Sequence, residues 1–427
     1  MYFFYSLLYI IAFILLSPLF LLRREKYAPG FSERLGNYPE FKKDDRPVIW
    51  LHCVSVGETN AARPLVDQLL AAFPGHRLIF STTTSTGQEL AKSIFKDKAD
   101  SIFYFPFDWK FTVRRALRHF QPSVVLMMET EIWPRFFKEA HKSGAKLAIV
   151  NGRLSEKSFR RYSWVKNFVR KVLGLVDLAL MQDEKDADRV IALGFNAAKV
   201  KITGNLKFDL AVEERESQLT EEFRHRFGIN SERPLIVAAS THEPEETWVL
   251  DALETSGYPF RALFAPRHPE RFDSVANMLG DTQYSLARRS NYPTESDKTA
   301  DLILLDSIGE LRAVFPLADI VFVGGSLIPH GGQSVLEPAS AGKAIVVGPY
   351  THNFEAVING LLEQNAIIQA KPPSPEHDEP WELYCALRVF LDEPDQRAEL
   401  GERALQVING NRGATSKTVA ELKSLTH

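Results

Sequence analysis

The chain has 427 residues, of which 45% are hydrophobic and 25% are charged, and its formal net charge is −3. This composition is typical of a folded protein and excludes large-scale disorder, and the length predicts two domains. The two cysteines, Cys53 and Cys385, are too few and too far apart in the sequence for a disulfide framework, which is typical of a reducing compartment.

The first 22 residues predict a membrane anchor. No charged residue occurs from Tyr2 to Leu22, and a helix of this length can cross a bilayer core of about 30 Å. The basic residues Arg23, Arg24 and Lys26 follow the apolar run, whereas a cleaved signal peptide has basic residues before it. The positive-inside rule then predicts that the rest of the chain is cytoplasmic. Since Pro18 can kink or end the helix, a helix that lies in the membrane interface is the alternative.

Apolar runs of strand length alternate with amphipathic helical segments over the rest of the chain, and this alternation predicts parallel, doubly wound sheets. The pattern becomes polar and acidic between 210 and 230, with an acidic run at 213–216. We therefore expect two Rossmann-like domains in tandem, at 23–209 and 231–427, joined by a linker at 210–230. The predicted strands are 48–54, 77–81, 101–105, 123–128, 146–150, 177–181 and 201–203 in the first domain, and 234–239, 260–265, 302–305, 320–323 and 344–347 in the second.

Glu58 is the first candidate for chemistry. It follows the predicted strand 48–54, and a helical segment begins directly after it. Open α/β sheets bind their ligands at the carboxyl edge of the strands, and a partly dry carboxylate there can have the raised proton affinity that a general base needs. Gly57 and Glu58 can equally be a plain helix start, because acidic residues favour the positive end of the helix dipole. This motif alone favours neither the catalytic nor the helix-start interpretation.

Polar residues also follow two neighbouring strands of the first domain. Glu129 and Glu131 come after the strand that ends at Met128, and Arg153 comes after the next strand. Because the carboxyl ends of parallel strands meet at one edge, we expect Glu58, Glu129 and Arg153 to converge on one crevice. One of the two acids can instead be structural and pair with Arg153 or with a backbone turn.

Positive charge is concentrated between 109 and 171, where there are 15 Lys and Arg and four acidic residues. The segments 109–118 and 158–164 mix basic and aromatic residues, as segments that bind membrane surfaces do. A solvated helix face and a nucleic-acid site are the alternatives. The preceding apolar run favours lipid head groups, and we expect no nucleic-acid partner. The candidate residues for binding an anionic partner are Arg153, Arg114, Arg115, Arg160 and Arg161.

A glycine-rich loop in the second domain predicts phosphate binding. Glycine allows a close approach to the backbone, and free amides at a helix N-terminus bind phosphate without a metal ion. Glu337, about one turn into the predicted helix, would reach a ribose hydroxyl. A glycine-rich loop alone is often only a tight turn. The residues of this predicted phosphate loop are Gly324, Gly325, Ser326, Gly332, Gln333 and Ser334.

Two further strand ends of the second domain carry polar residues. Arg267 is the best candidate for binding an anionic group, because a guanidinium offers a fixed fork of donors. His242 or His268 can be an acid or a phosphate ligand, although a lone histidine is more often structural, and Ser240 and Thr241 can be helix caps. The sequence has no Gly-Lys-Ser/Thr loop, no cysteine cluster and no His-Glu-x-x-His motif. Neither a P-loop ATPase nor a zinc enzyme is indicated.

With these residues together, the sequence resembles the Kdo transferases of glycosyltransferase family 30, which attach 3-deoxy-D-manno-oct-2-ulosonic acid (Kdo) to a lipid A precursor. The resemblance implies an α/β protein of the GT-B fold, in which two Rossmann-like domains face each other across a cleft, with an N-terminal membrane helix. It also implies CMP-Kdo as donor, no metal ion and no other cofactor. The matching stretches are 55–58, 128–134, 204–209, 265–271, 309–311 and 322–327.

The resemblance implies that Glu58 is the catalytic base and that Glu129 is a further functional acid. The Kdo carboxylate would bind Arg267 or Lys207. The phosphates of the acceptor would meet the basic surface, with Arg153, Arg114, Arg115, Arg160 and Arg161 as the acceptor-binding residues. The chain departs from the family at Gln333 and Ser334, where the family commonly has His-Asn. The expected donor-binding residues are Arg267, His268, Pro266, Ser240, Thr241, Gly309, Gly324, Gly325, Ser326, Gly332, Gln333, Ser334, Glu337 and Lys207.

These expectations combine into an inverting, single-displacement transfer at the cytoplasmic side of a bacterial inner membrane. Glu58 would take the proton from a lipid A hydroxyl as that oxygen attacks the anomeric carbon of Kdo, while CMP leaves from the opposite face. Two alternatives are another membrane-associated GT-B transferase, with a UDP-sugar and a lipid acceptor, and a non-catalytic, membrane-tethered sensor of nucleotide sugars.

Overall fold

The chain divides into two compact units in the computed structural model. The first unit consists of Met1–Leu210 and Arg412–His427, and the second of Ala211–Asn411. The basic residues Arg23, Arg24 and Lys26 and the acidic run 213–216 lie outside the described residues, so the cytoplasmic orientation inferred from the basic residues stays a prediction. The structure describes residues 2–22, 29–210, 217–230 and 233–425.

The first unit is built on one parallel sheet, and the strands predicted for it are confirmed within two residues at each end. The strands are β1 (Val48–Cys53), β2 (Arg77–Thr82), β3 (Ser101–Tyr104), β4 (Pro122–Met128), β5 (Lys146–Gly152), β6 (Leu178–Met181) and β7 (Val200–Ile202). Their order in the sheet is β3-β2-β1-β4-β5-β6-β7. The chain therefore winds in one direction from β1 to β3 and in the other from β4 to β7, which places the topological switch point between β1 and β4.

Helices cover both faces of this sheet. All six residues of β1 are buried, as expected for a strand with helices on both sides. Trp50 packs into the core on one face, and its neighbours Ile49 and Leu51 pack into the core on the other. The helices of this unit are α1 (Tyr2–Leu22), α2 (Phe31–Arg34), α3 (Val56–Ala61), α4 (Arg63–Ala72), α5 (Ser85–Phe95), α6 (Lys110–Phe120), α7 (Pro134–Lys142), α8 (Glu156–Trp164), α9 (Lys166–Leu173), α10 (Glu184–Ala192) and, from the C-terminal segment, α19 (Ala414–Leu422).

The second unit is also built on one parallel sheet with helices. Its strands are β8 (Leu235–Thr241), β9 (Arg261–Pro266), β10 (Leu286–Arg288), β11 (Leu302–Leu304), β12 (Ile320–Val323), β13 (Ala344–Val347) and β14 (Ile368–Gln369). They form a parallel sheet in the order β10-β11-β9-β8-β12-β13-β14, so its switch point lies between β8 and β12. The helices are α11 (Gln218–Phe227), α12 (Glu245–Ser256), α13 (Phe272–Gly280), α14 (Leu311–Val314), α15 (Leu336–Ser340), α16 (Glu355–Glu363), α17 (Glu379–Asp392) and α18 (Pro394–Asn411).

The unit boundaries differ from the predicted domain boundaries at both ends of the second domain. The predicted linker 210–230 contains α11, which belongs to the second unit and buries Phe223 and Phe227 there. The predicted second domain extended to 427, but α19 packs on α4 and belongs to the first unit. Polarity at 210–230 was misleading because α11 exposes one charged face while its aromatic face is buried.

The N-terminal helix α1 packs against the first unit through one face. Tyr5 donates from its hydroxyl to Oδ2 of the buried Asp108 at 2.7 Å, and Arg135 donates to Oγ of Ser6 at 2.7 Å. Phe13 packs on Trp109 with ring centroids 4.9 Å apart. Over the part of the chain that the structure describes, no helix has both the length and the apolarity needed to cross a membrane. The prediction of a spanning helix at 2–22 is therefore not confirmed.

Candidate functional site

Glu58 lies at the carboxyl edge of the first sheet, one turn beyond β1. Ser55 caps α3, with its Oγ accepting a hydrogen bond from the amide of Glu58 at 3.4 Å. The carboxylate of Glu58 reaches back, where Oε2 accepts from the amide of Val54 at 2.7 Å and Oε1 accepts from the hydroxyl of Ser55 at 3.1 Å. This reciprocal arrangement resembles a capping box. The helix-start interpretation of the sequence is thus correct for the local geometry.

The environment of Glu58 also suits acid–base chemistry. Its side chain is buried, with 7% of the residue exposed. Burial raises the pKa of Glu58 to about 8, and the charge of Glu129 adds to the rise, while the hydrogen bond from Val54 opposes it. A carboxyl group with this pKa binds and releases a proton near neutral pH, as a general acid or base must. Capping and proton transfer are therefore compatible roles.

Glu129 follows β4, on the other side of the switch point from Glu58. Its backbone has φ of 53°, in the left-handed region, and its amide donates to the carbonyl of Val150 at 2.9 Å. Asn151, at the end of β5, has φ of 54°. Two non-glycine residues in this region at neighbouring strand ends are uncommon, and such strain is concentrated at functional sites. The charge of Glu129 raises the pKa of Glu58, so these two acids lie within electrostatic range of each other, and burial raises the pKa of the adjacent Glu131.

Lys207 also lies in the first unit, although the sequence placed it among the donor-binding residues. Burial lowers the pKa of Lys207, and the charges of Glu129 and Glu58 partly restore it, so its amine is within electrostatic range of both acids. The positive charge of Arg153 lowers the pKa of Lys207 further. The site at the switch point of the first unit therefore combines acids with two cations.

A short 3₁₀ turn, Leu206–Leu210, holds Lys207 in place. Oδ1 of the buried Asn151 accepts from the amide of Leu206 at 3.0 Å, and Oδ1 of Asn205 accepts from the amide of Lys207 at 3.0 Å. Asp209, at the other end, accepts from the amides of Gly413 and Thr415 at 2.7 and 2.6 Å. The carboxylate of Asp209 thereby caps α19 from a distant part of the chain, which fixes the C-terminal helix beside this turn.

The arginines predicted to bind the acceptor occupy different surroundings. Nε of Arg114 donates to Oε2 of the buried Glu139 at 2.6 Å, and Arg115 donates to the carbonyl of Leu35 at 3.2 Å. Arg160 pairs with Glu156 on α8, and Arg161 is exposed on the same helix. Of the five, only Arg153 affects the pKa of Lys207 at the switch point, and the other four lie on α6 and α8.

In the second unit, the glycine loop after β12 differs from the predicted phosphate loop. Glu245, which begins α12, is fully buried. Its Oε2 accepts from the amides of Gly325 and His242 at 2.6 and 2.9 Å, and its Oε1 accepts from the amides of Ser326 and Leu327 at 3.0 Å each. A carboxylate of the protein itself therefore occupies the amides that the sequence analysis assigned to a phosphate.

The second half of the predicted phosphate loop is also engaged. The amides of Gly332 and Gln333 donate to the carbonyls of Gly325 and Gly324 at 2.7 and 3.1 Å. The helix that follows, α15, begins only at Leu336 and has five residues. The prediction of free amides at a helix N-terminus is therefore wrong for these residues, because the loop closes on itself before the helix begins.

Several predicted donor-binding residues stabilise this loop or the strand ends beside it. Thr241 is fully buried and donates to Oε1 of Glu246 at 2.7 Å. Ser326 is also fully buried, and its Oγ accepts from the amide of Gly348 at 2.8 Å. A Cβ atom on Gly324 would lie 2.6 Å from the carbonyl oxygen of Ser240, so close packing of two strand ends requires this glycine. Ser240 itself has φ of 55°.

Other predicted residues lie at the open edge of the same sheet. Arg267 and His268 are exposed directly after β9, which ends at the buried Pro266. Gly309 has φ of 88° in the loop after β11. Glu337 is the second residue of α15, not one turn into it; it accepts from the hydroxyl of Ser334 and lies 3.5 Å from Arg312.

Three kinds of residue in the two sites were missed or undervalued from the sequence alone. Glu245 was missed, although an acid at the start of a helix after a strand end resembles the pattern that singled out Glu58. His330, whose ring centroid lies 4.3 Å from that of His242, was missed because the two histidines are distant in sequence. Asn151 and Asp209 act through backbone amides more than 50 residues away, and no local pattern reveals such contacts. Among the described residues, no three His, Cys, Asp or Glu side chains converge as metal ligands would.

Comparison with known proteins gives the following matches. The family model for 3-deoxy-D-manno-octulosonic-acid transferases (kdotransferases) matches residues 29–210. The chain is 33% identical to the 3-deoxy-D-manno-octulosonic acid transferase of Haemophilus influenzae, over 99% of this chain and 98% of that protein. It is 32% identical to the transferase of the same name from Bordetella pertussis, over 88% of this chain and 86% of that protein.

Among solved structures, UDP-GlcNAc 2-epimerase from Neisseria meningitidis matches with a TM-score of 0.58 and 13% identity, over 88% of this chain and 100% of that one. At this identity the match concerns the fold alone, and it agrees with two α/β units built on parallel sheets.

Proposed function

The chain belongs to the 3-deoxy-D-manno-octulosonic acid (Kdo) transferase family, and from this premise we propose that it transfers Kdo from CMP-Kdo to a lipid A precursor. Membership makes it a glycosyltransferase of lipopolysaccharide biosynthesis. The donor, the acceptor, the inverting course and the catalytic residues are the parts that we propose.

The observation that carries the mechanism is the position and proton affinity of Glu58. It lies at the switch point of a parallel sheet, where such folds bind ligands, and burial together with Glu129 raises its pKa to about 8. In the proposed reaction Glu58 accepts the proton of an acceptor hydroxyl as that oxygen forms a bond to the anomeric carbon of Kdo. The bond from this carbon to the phosphate oxygen breaks at the opposite face, which inverts the configuration and releases CMP.

The cations beside Glu58 fit the anionic substrates. Lys207 and Arg153 lie within electrostatic range of each other, next to Glu129. Kdo carries a carboxylate and a lipid A precursor carries phosphates, so an amine and a guanidinium at this edge would orient them. We assign Glu129 the role of tuning the pKa of Glu58 and of holding Lys207 charged.

The donor nucleotide is proposed to bind at the switch point of the second unit. Arg267 and His268 are exposed there, and Gly325 lies beside the ring of His242, which a Cβ atom on this glycine would contact at 3.4 Å. Since Glu245 occupies the loop amides, we assign recognition of the phosphate to side chains at this edge.

We also propose that the chain works on the cytoplasmic surface of the inner membrane, held there by α1. The outer face of α1 exposes large apolar side chains, among them Phe3 and Leu15 with 73% exposure each. Phe111 and Trp164 are exposed on α6 and α8, beside the basic residues of those helices. Apolar side chains flanked by cations are typical of surfaces that lie in the head-group region of anionic membranes.

A turnover assay tests the proposed reaction. Purified chain in detergent, given CMP-Kdo and a tetraacylated lipid A precursor, should release CMP and yield a product whose mass is increased by Kdo. UDP-sugars in place of CMP-Kdo serve as the matched control, since a UDP-dependent transferase is the nearest alternative. Turnover with a UDP-sugar and none with CMP-Kdo would contradict the proposal.

A flotation assay tests the membrane surface separately. The chain should float with vesicles that contain anionic phospholipid, and the double variant Leu8→Glu/Leu15→Glu should remain with the soluble fraction. Equal flotation of the variant would contradict the assigned role of α1.

A further inference from the structure

Three histidines from neighbouring strand ends lie together in the second unit. His242 follows β8, His268 follows β9 and His330 lies in the loop after β12, and these three strands are adjacent in the sheet. The ring centroid of His242 is 4.3 Å from that of His330 and 5.2 Å from that of His268. Nε2 of Gln333 lies 3.2 Å from Nε2 of His242. An amide nitrogen only donates, so this contact requires an unprotonated nitrogen on the ring.

The charged groups around His242 leave its ring neutral. Burial and the neighbouring His330 and His268 lower the pKa of His242 to about 4, and Arg271 also lowers it, whereas Glu246 raises it. Arg271 donates to both carboxylate oxygens of the buried Glu246, at 2.7 and 3.0 Å, so the charges of this pair largely cancel. Oε1 of the exposed Glu270 lies 3.8 Å from Nδ1 of His268.

An anion bound at this edge would raise the pKa of His242, because a negative charge nearby favours the charged form of an imidazole. The loop amides cannot meet the anion, since Glu245 occupies those of Gly325, Ser326 and Leu327. We infer that His242, His268 and His330 form a proton-coupled phosphate site, which gains a proton when it binds a phosphomonoester. The inference rests on the proposed function in naming CMP as that phosphomonoester.

Proton uptake by the histidines would offset the negative charge that the transfer leaves on CMP. CMP-Kdo carries one negative charge on its phosphodiester. Cleavage of the bond between the anomeric carbon and the phosphate oxygen leaves CMP with a second charge, because the second pKa of a phosphomonoester is about 6. The acceptor proton goes to Glu58, so it does not neutralise this charge. An imidazole of the cluster takes a proton from solvent, stabilises the departing CMP and returns the proton when CMP dissociates.

Calorimetric titration of the full chain with CMP tests the site. Measured at pH 7.5 with EDTA present, in two buffers of different ionisation enthalpy, binding should take up about 0.5 to 1 proton per CMP. The affinity should weaken about tenfold from pH 6.5 to pH 8, since one linked proton changes a binding constant by up to about tenfold per pH unit. Inorganic phosphate should also show uptake, reduced by the proton that its monoanion releases on binding, and cytidine, which has no phosphate, should show none.

Variants at exposed positions keep the test independent of folding. His268 and His330 are exposed, and the double variant His268→Gln/His330→Gln should lose at least half of the proton uptake and flatten the pH dependence. His225→Gln, at an exposed position on α11, is the matched control and should behave as the unmodified chain. Uptake below about 0.1 proton, or full uptake in the double variant, would overturn the inference.

Two further outcomes separate this site from the proposed function. Kdo transfer without proton uptake on CMP binding would contradict the histidine site and leave the transferase intact. Proton uptake on binding of CMP, without any transfer of Kdo from CMP-Kdo, would uphold the site and contradict the proposed function.

Discussion

Glu129 lies close enough to Glu58 for its charge to raise the pKa of Glu58, in addition to the larger effect of burial, and together they bring that pKa to about 8. The two acids follow β1 and β4, the strands on either side of the switch point. A base with this pKa is mostly protonated at neutral pH and becomes competent as the pH rises.

The first prediction concerns the pH dependence of transfer. The value of kcat/KM should rise with pH and level off above about pH 8, because only deprotonated Glu58 can accept the acceptor proton. Glu129→Gln removes a charge that raises the pKa of Glu58, so the midpoint of the rise should move to lower pH even if the plateau falls. Glu184→Gln, at an exposed position on α10, is the control and should keep the original midpoint. A midpoint that stays in place in Glu129→Gln would exclude the proposed tuning.

The second prediction concerns stability. The pKa of Glu58 in the folded chain is about 8, above its ordinary value of 4.5. The folded state thus favours the protonated carboxyl; this contribution to stability is complete below the ordinary value and is lost as the pH rises through 8. The midpoint of thermal unfolding should therefore fall between pH 6 and pH 9 by less in Glu58→Gln than in the unmodified chain. An equal fall in both would show that Glu58 is ionised throughout that range.

The third prediction concerns Glu245, whose carboxylate accepts four backbone hydrogen bonds. Glu245→Gln points an amide group at backbone donors, and it should lower the free energy of unfolding by about 3 kcal/mol. It should also weaken CMP binding, because the loop that carries Gly325 loses its support. Urea unfolding measures the first effect, with the exposed Glu254→Gln on the same helix as control. Unchanged stability would mean that the loop does not need this charge.

The fourth prediction concerns the cap that Asp209 provides for α19. Asp209→Ala removes two hydrogen bonds from backbone amides to a carboxylate, so amides of residues 414–422 should exchange with deuterium at least about tenfold faster. Asp188→Ala, an exposed change on α10, should leave their exchange as it is. Equal protection in Asp209→Ala would show that packing on α4 alone holds the helix.

The strands of both sheets could be predicted from the sequence because apolar runs such as Ile320–Val323 are buried on both sides, and a buried run needs no long-range information. The edge strands Leu286–Arg288 and Ile368–Gln369 were missed because they are short and partly exposed. Glu58 and Glu129 could be found because each follows such an apolar run at the carboxyl edge of the sheet. The position of α19 could not, since a hydrogen bond from Thr415 to Asp209 leaves no local pattern.

The glycine loop shows where local reasoning fails for a physical reason. Gly325 and Ser326 match the composition of a phosphate loop, but composition cannot tell which anion satisfies their amides. Here it is Glu245, about 80 residues earlier in the chain. The histidine cluster could not be predicted either, because His242 and His330 are distant in the sequence and come together only in the folded chain.

The most direct test of the central claim is the rate of Kdo transfer by Glu58→Gln, measured with CMP-Kdo and lipid A precursor at pH 8.5. The variant keeps the shape of the side chain but cannot accept the proton, so the rate should fall by about 10² to 10⁴ while the affinity for CMP stays within about twofold. Transfer at the rate of the unmodified chain would contradict the assignment of Glu58 as the base.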